Sequence, residues 1–377
     1  MKNIKQLLFI GLAVCVLASC ASRRNSSHYL QAEQSVYVNP DSTITFQYCG
    51  NARHVTLMGD FLYVDEDSTW YNDHNYHIKM YKENDGCFHI TTKPLYPDVY
   101  TYCFKVDGKR IPDPLNNDTS WQRLHKWSII SVGGKPLADL YLPPAHEGKM
   151  VRTRWYSKQE KIYRRVNIYT PACYDTCSHP LDVLYLIHGI NGYEGAWTER
   201  GRAIQIMENM VAQGRCKPMI LVMPDLNSGA HEDRPSFHTL WNSLIHYTRQ
   251  RRDKDLELSV NDLIQMIDST YRVSGKIALA GLSDGARIAA DVAKVYQERV
   301  TAVGMFCPVA KKAQIPATPG NTKYFVFVGK RDLFYSNGKN FHKRMNKADV
   351  QHMYREFGGR HDWRTWREHL VLFLENM

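Results

Sequence analysis

Two hydrophobic rhythms divide this chain. From Val36 to about Leu142 apolar and polar positions alternate over short runs: Thr43–Tyr48, Val55–Met58 and Phe88–Thr91 read as strands. Tyr100–Val106 is the clearest, and it runs into the Asp107-Gly108 turn. No stretch of this region has convincing helical spacing, which predicts a β-sandwich of about 100 residues. Pro136 to Lys149, with Pro143-Pro144 and Gly148, reads as the linker region. Beyond it the rhythm changes. Val166–Tyr169 is an early strand, Val183–Ile187 is a near-continuous apolar run ending at His188-Gly189, and Met219–Met223 stops at Pro224. Leu258 to Tyr271 has helical spacing, with Val260, Leu263, Ile264 and Ile267 on one face. Tyr324–Val328 is another buried-type strand ending at Gly329, and Trp363 to Leu374 closes the chain as a helix. Apolar strands alternating with amphipathic helices require a mostly parallel sheet covered on both faces.

The apolar run Lys276–Leu282 is followed by Ser283-Asp284-Gly285 and a helix-forming segment. Gly281-Leu282-Ser283-Asp284-Gly285 is a G-x-S-x-G pattern in the strand–turn–helix context of a nucleophile elbow, the serine site of α/β-hydrolases. A serine on such a turn projects its hydroxyl above the sheet, and the N–H of the next residue, Asp284, points where an oxyanion forms. A serine hydroxyl needs a base, and the base needs an orienting acid. In this fold the chain order is Ser, acid, His. Asp332, directly after the Tyr324–Val328 strand, and His361, in a Gly-rich loop opening the last helix, supply that order. Asp362 is a poorer acid, because adjacent side chains rarely face each other, and Glu356 is the reserve. The second oxyanion donor is assigned to the N–H of Ile190 in His188-Gly189-Ile190, with His188 as a loop-orienting residue. Trp197, Trp241 and Trp363 are candidates for the wall of an acyl pocket.

The net charge of +10 over 377 residues raises nucleic acid or anionic membrane as partners. Lysine and arginine are scattered and paired with acids, as in Arg249–Asp255, so a solvated surface is expected and no nucleic-acid partner. No H-E-x-x-H, phosphate loop or dinucleotide fingerprint occurs, so neither metal nor cofactor is expected. Lys2 and Lys5 precede an apolar segment, Leu7–Leu17, too short to span a bilayer. Leu17-Ala18-Ser19-Cys20 resembles a lipobox, which implies a leader over 1–19, lipidation of Cys20 and an extracytoplasmic, lipid-anchored protein. Residues 20–35 then form a tether, 36–142 the sandwich and 143–377 the catalytic domain. Of nine cysteines, Cys87 and Cys103 lie on strand-like runs that a hairpin can bring together, and Cys173 and Cys177 share a polar loop. No pairing follows from the spacing alone.

Two resemblances add to this reading. Val55–Phe61, Gly86-Cys87-Phe88, Tyr100–Tyr102, Val106-Asp107-Gly108 and Asp113-Pro114 resemble an early-set, immunoglobulin-like domain similar to glycogen-binding modules. Trp70, Trp121 and Trp127 lie in none of its alignable motifs, so a packing role beside the active site is expected. Leu184–Gly189, Glu194 with Trp197, Val222-Met223-Pro224, Gly281–Gly285 and His361-Asp362-Trp363 resemble the esterase D-like family. That group includes feruloyl and acetylxylan esterases of carbohydrate esterase family 1 and enterochelin esterases. The resemblance implies a serine esterase acting on acylated plant polysaccharide or a small ester. A siderophore trilactone hydrolase and a glycan-binding lipoprotein with a degenerate esterase scaffold are the alternatives. The family pattern Gly-Leu-Ser-Met-Gly-Gly has Asp284 here in place of methionine and Ala286 in place of the last glycine. A carboxylate at Asp284 is expected to oppose the oxyanion.

Overall fold

The structure, a computed structural model, describes residues 34–63, 77–122, 125–134, 138–190, 192–226, 253–310, 314–316 and 320–377. Cys20, the segment read as its leader, Trp70 and Trp241 lie outside the described residues.

The first half holds strands β1 (Val36–Val38), β2 (Ile44–Tyr48), β3 (Val55–Gly59), β4 (His77–Lys79), β5 (Tyr81–Lys82), β6 (Phe88–Thr91), β7 (Asp98–Val106), β8 (Lys109–Ile111), β9 (Thr119–Gln122) and β10 (His125–Val132). They form two antiparallel sheets, β1-β2-β6-β5 and β4-β3-β7-β10-β9, with β8 added on β7. Alternation does the folding. Ile44, Phe46 and Tyr48 of β2 turn inward to meet Leu57, Tyr102 and Phe104 from the facing sheet. Among the described residues Cys49 and Cys87 form a disulfide, while Cys103 is a free buried thiol. The geometry is plain once the register is known. Tyr48 and Phe88 are paired across β2 and β6, so the residues just outside that pair meet, whereas Cys103 sits on β7 in the other sheet.

The second half is one eight-stranded sheet in the order β11-β12-β14-β13-β15-β16-β17-β18. Its strands are β11 (Lys149–Ser157), β12 (Ile162–Thr170), β13 (Leu181–Ile187), β14 (Met219–Pro224), β15 (Val273–Leu282), β16 (Val300–Phe306), β17 (Lys323–Gly329) and β18 (His352–Phe357). From β14 to β18 all neighbours are parallel, and β11-β12 is an antiparallel hairpin on one edge. Among the described residues the helices are α1 (Ala196–Glu199), α2 (Ala203–Ala212), α3 (Asp253–Thr270), α4 (Asp284–Val295), α5 (Tyr335–Lys347) and α6 (Trp363–Asn376). The apolar strands serve two cores at once. Leu184 and Leu186 of β13 pack towards α2 and α6, while Val183, Tyr185 and Ile187 pack towards α3, α4 and α5. This is the α/β-hydrolase-like half that the alternation predicts.

The region read as a linker is less independent than expected. A 3-10 helix at Ala138–Tyr141 drops Leu140 and Tyr141 into the same core as α2 and α6. Nearby, Asp98 of β7 pairs with Arg367 of α6 at 2.7 Å, and Arg367 also donates to the Val99 and Arg200 carbonyls. Both side chains are buried, so removing Asp98 leaves the Arg367 charge without this partner, at a cost of about 3–5 kcal/mol, while Asp98 also has Arg364 at 3.5 Å.

His369 of α6 is 0% exposed among the rings of Phe306, Phe327 and Phe357, and neither ring nitrogen has a hydrogen-bond partner. Burial pushes its pKa down to about 3, against a small opposing pull from Asp332. The unfolded chain takes up this proton near pH ~6.5. Stability is therefore full above about pH 6.5 and is lost as the pH falls from there towards about 3. His369→Phe is expected to raise stability by about 1 kcal/mol at pH 7 and by more at pH 5. Melting curves at the two pH values check this; a variant less stable than wild type at pH 5 refutes it.

Candidate active site

The fully buried run Ile277–Leu282 ends β15 at the middle of the parallel sheet, and α4 starts at Asp284, leaving Ser283 alone between them. Ser283 has φ 57° and ψ −119°, a conformation that non-glycine residues adopt only when the surroundings impose it. Those surroundings are visible. The Ser283 N–H donates to the Phe306 carbonyl at 2.9 Å, and the Val309 N–H donates to the Ser283 carbonyl at 3.2 Å. A Cβ at Gly285 would collide with the carbonyls of Ile187 and His188, and one at Gly281 with the backbone of Gly285. The two glycines are thus what lets α4 start so close to β13 and β15.

Asp332 lies just beyond β17 and His361 between β18 and α6, at the same carboxyl end of the sheet. The His361 Nδ1–H donates to Asp332 Oδ2 at 2.7 Å, and the Phe334 N–H donates to Oδ1 at 2.6 Å. With its proton on Nδ1, His361 presents Nε2 as a lone pair, the state a general base needs. The His361 ring stands edge-on to Trp366 and Phe334, with ring centroids 5.0 Å away in each case. Burial raises the Asp332 carboxyl, but hydrogen bonds from His361 and the Cys307 thiol outweigh it and hold the pKa below the usual carboxylate value. Asp332 is therefore ionised through the neutral range, as an orienting acid must be.

Cys307 is the residue that sequence reasoning missed. It follows β16, the strand between those leading to Ser283 and Asp332, and has φ 47°. Burial first, then the Asp332 charge, pushes its thiol well above the ordinary range, so it stays S–H and donates to Asp332. Position was the available signal, since the first residue after β16 must lie between the two functional loops. Cys307, Asp332 and His361 place their donor atoms within 4.8 Å of one another, and the hydrogen bonds among them account for this closeness.

The remaining candidates fall into three groups. Gly189 lies against the elbow: a Cβ there would come within 3.2 Å of the Ser283 Cβ, and Ile190 beside it is 37% exposed. His188 orients this loop. Its Nδ1–H donates to the Gly189 carbonyl at 2.7 Å, and Nε2 accepts the Leu226 N–H at 3.1 Å. One pocket assignment is corrected. Trp197 is 1% exposed in the core, edge-on to Trp363, so it walls no open acyl site. Trp366, one turn into α6, is the tryptophan that touches His361. Trp241 lies outside the described residues.

The Asp284 carboxylate is also not where the sequence placed it. It accepts from Arg287 Nε at 2.8 Å along the side of α4, and Asp291 extends the network to Lys294 at 2.6 Å. A neutralised carboxylate aimed along the helix does little to an oxyanion. Asp284→Met is expected to change kcat/KM by less than about threefold, under ~0.7 kcal/mol. A rise of tenfold or more in ester turnover would show that the charge does reach the reacting carbonyl.

Residues 157–325 match the model of a family described as putative esterase. The second half of the chain resembles that family. Over 218 residues it is 27% identical to an endo-1,4-beta-xylanase/feruloyl esterase of Xylanibacter ruminicola, covering 54% of this chain and 28% of that protein. The chain thus spans little more than a quarter of that relative's length. Among solved structures, a family 1 ferulic acid esterase of Anaeromyces mucronatus aligns with TM-score 0.52 and 20% identity, over 64% of this chain and 95% of its own. The enterobactin esterase of Shigella flexneri aligns with TM-score 0.62 and 16% identity, over 89% of this chain and 92% of its own. At these identities the structural likenesses speak for fold. The second half of the chain has a largely parallel sheet, with Ser283, Asp332 and His361 on loops at its carboxyl end.

Proposed function

We propose that this chain is a serine carboxylic ester hydrolase with Ser283 as nucleophile, His361 as base and Asp332 as orienting acid. The observation that carries the reading is the Asp332–His361 hydrogen bond at 2.7 Å, formed at the sheet end where the Ser283 elbow stands. In this reading Ser283 Oγ attacks the ester carbonyl while His361 Nε2 takes its proton. The tetrahedral oxyanion is met by the N–H groups of Asp284 and Ile190. Collapse expels the alcohol, which receives the proton from His361, and leaves an acyl group on Ser283. Water, deprotonated by His361, repeats the attack and frees the acid.

The substrate class we propose is a feruloyl or acetyl ester on plant polysaccharide or its oligosaccharides. The 27% identity to a protein named as a xylanase/feruloyl esterase supports it. The first domain is read as an early-set, immunoglobulin-like sandwich, in keeping with its two antiparallel sheets around one core. A second reading, hydrolysis of a siderophore trilactone, is favoured by one fact: the Shigella enterobactin esterase aligns over 89% of this chain, across both domains. Purified protein assayed on methyl ferulate, acetylated xylan and a trilactone separates them. Hydrolysis of the first two is expected; turnover of the trilactone alone would favour the second reading, and turnover of none would favour a binding protein on an esterase scaffold.

The protein is further read as extracytoplasmic and lipid-anchored through Cys20. Full-length protein is expected in the membrane fraction, and Cys20→Ser is expected to move it to the soluble fraction. A wild type recovered wholly in the soluble fraction would end the lipoprotein reading.

A further inference from the structure

Strand β9 is the outer strand of its sheet, and an outer strand carries main-chain N–H groups that its own sheet does not pair. The second domain satisfies one of them. The Trp121 N–H donates to the Tyr193 hydroxyl at 3.0 Å, with Ser120 Oγ at 3.3 Å from the same oxygen. The Tyr193 hydroxyl in turn donates to Glu199 of α1, and the ring packs on the core shared by α2 and α6. Beside this contact Arg202 pairs with Asp118 at 2.6 Å, closing the same seam between the domains.

Tyr193 belongs to the loop that leaves β13 with His188, Gly189 and Ile190. On the near side the loop is held by the His188 ring and by a turn in which the Gly192 N–H donates to the Gly189 carbonyl at 3.1 Å. On the far side Asn167 Nδ2 donates to the Glu194 carbonyl at 3.1 Å, and Arg165 lies 3.4 Å from the Glu194 carboxylate. Between these anchors Ile190 is 37% exposed and gains little hold from packing. An oxyanion donor is useful only when fixed about 2.7–3.1 Å from where the charge develops. The Tyr193 hydroxyl is itself a steady tether, because burial and then the Glu199 charge hold it protonated through any working pH.

We propose that Tyr193 is a positioning residue through which the first domain holds the Gly189–Ile190 loop against Ser283, making the β-sandwich a working part of the active site. This rests on the esterase reading, in which the Ile190 N–H faces the oxyanion. The handle is on the catalytic side: β9 offers a main-chain group, which an ordinary side-chain substitution cannot remove.

Tyr193→Phe keeps the ring and deletes the tether. Its kcat on p-nitrophenyl acetate is expected to fall roughly tenfold to hundredfold, with KM within about threefold. Inhibition by a boronic acid, which becomes a charged tetrahedral adduct on a nucleophilic serine, should weaken by the same factor. Amide hydrogen exchange over residues 189–195 should speed up. Asp118→Asn loosens the same seam away from the loop and is expected to keep kcat within about twofold. A Tyr193→Phe enzyme with wild-type kcat and wild-type exchange overturns the proposal. So does an Asp118→Asn enzyme that loses as much as Tyr193→Phe, since loose docking in general would then explain the effect. If the wild type hydrolyses no ester, the esterase reading fails, and the exchange comparison still decides whether Tyr193 holds the loop.

Discussion

Ser283→Ala is expected to lower ester turnover by about four to six powers of ten while leaving the melting temperature nearly unchanged. In a triad mechanism the nucleophile, base and acid act as one unit, so losing the nucleophile removes almost the whole catalytic gain, and only oxyanion binding remains. The stability expectation is separate and comes from the backbone. The strain at Ser283 is imposed by its two main-chain hydrogen bonds and by the crowding at Gly281 and Gly285, none of which needs the hydroxyl. Alanine carries the same Cβ into the same φ of 57° and should neither relieve nor add strain. Burst titration with p-nitrophenyl acetate reads both steps. Wild type should release about one equivalent of nitrophenol before the steady state if deacylation is slower than acylation, and the alanine variant none. Equal steady-state rates in the two proteins would remove Ser283 from the reaction.

What the sequence made legible, and what it hid, follows from the range of the interactions. The elbow is local: an apolar strand, a serine and two glycines within five positions, each required by the backbone path around Ser283. The parallel sheet was readable because strands buried on both faces are apolar throughout, as all six residues of β14 are. The hairpin partner β11 was not. As an edge strand it exposes Arg152, Thr153 and Arg154, so it lacks the apolar run that marks the other strands. Cys49 carries no such signal, because it follows a strand whose neighbour, β6, is known only from the sheet order. Trp363 stands out in the sequence because it adjoins the His361 motif, whereas Trp366, which no motif marks, is the tryptophan whose ring stands against the histidine. The seam between the domains was out of reach altogether. Tyr193 and Trp121 are separated by 72 positions and Arg367 and Asp98 by 269, and no local pattern connects them.

Asp332→Asn is the second large effect expected, a loss of roughly a thousandfold to ten-thousandfold in kcat, as for the acid of the template triad. The reasoning is about tautomers. The Asp332 carboxylate accepts three donors: the His361 Nδ1–H, the Phe334 N–H and the Cys307 S–H. It can offer nothing to them but lone pairs, so His361 must carry its proton on Nδ1 and keep Nε2 as a free lone pair. An asparagine has one oxygen and one NH2. If its oxygen takes the Phe334 N–H, its NH2 faces His361 and favours the tautomer with the proton on Nε2, which cannot accept one from serine. If the amide flips, its NH2 opposes the Phe334 N–H, and two buried donors are left facing each other. Either way the charge-assisted hydrogen bonds of a group only 7% exposed are lost, so the melting temperature should fall as well. Cys307→Ala removes the weakest of the three donors and should cost far less, about threefold to tenfold in kcat, because the other two still hold the carboxylate in place. Steady-state rates on methyl ferulate, with the fold checked by near-ultraviolet circular dichroism, rank the two variants. An Asp332→Asn protein that is folded and turns over at the wild-type rate would transfer the acid's role to another residue, with Glu356 on β18 the first to test.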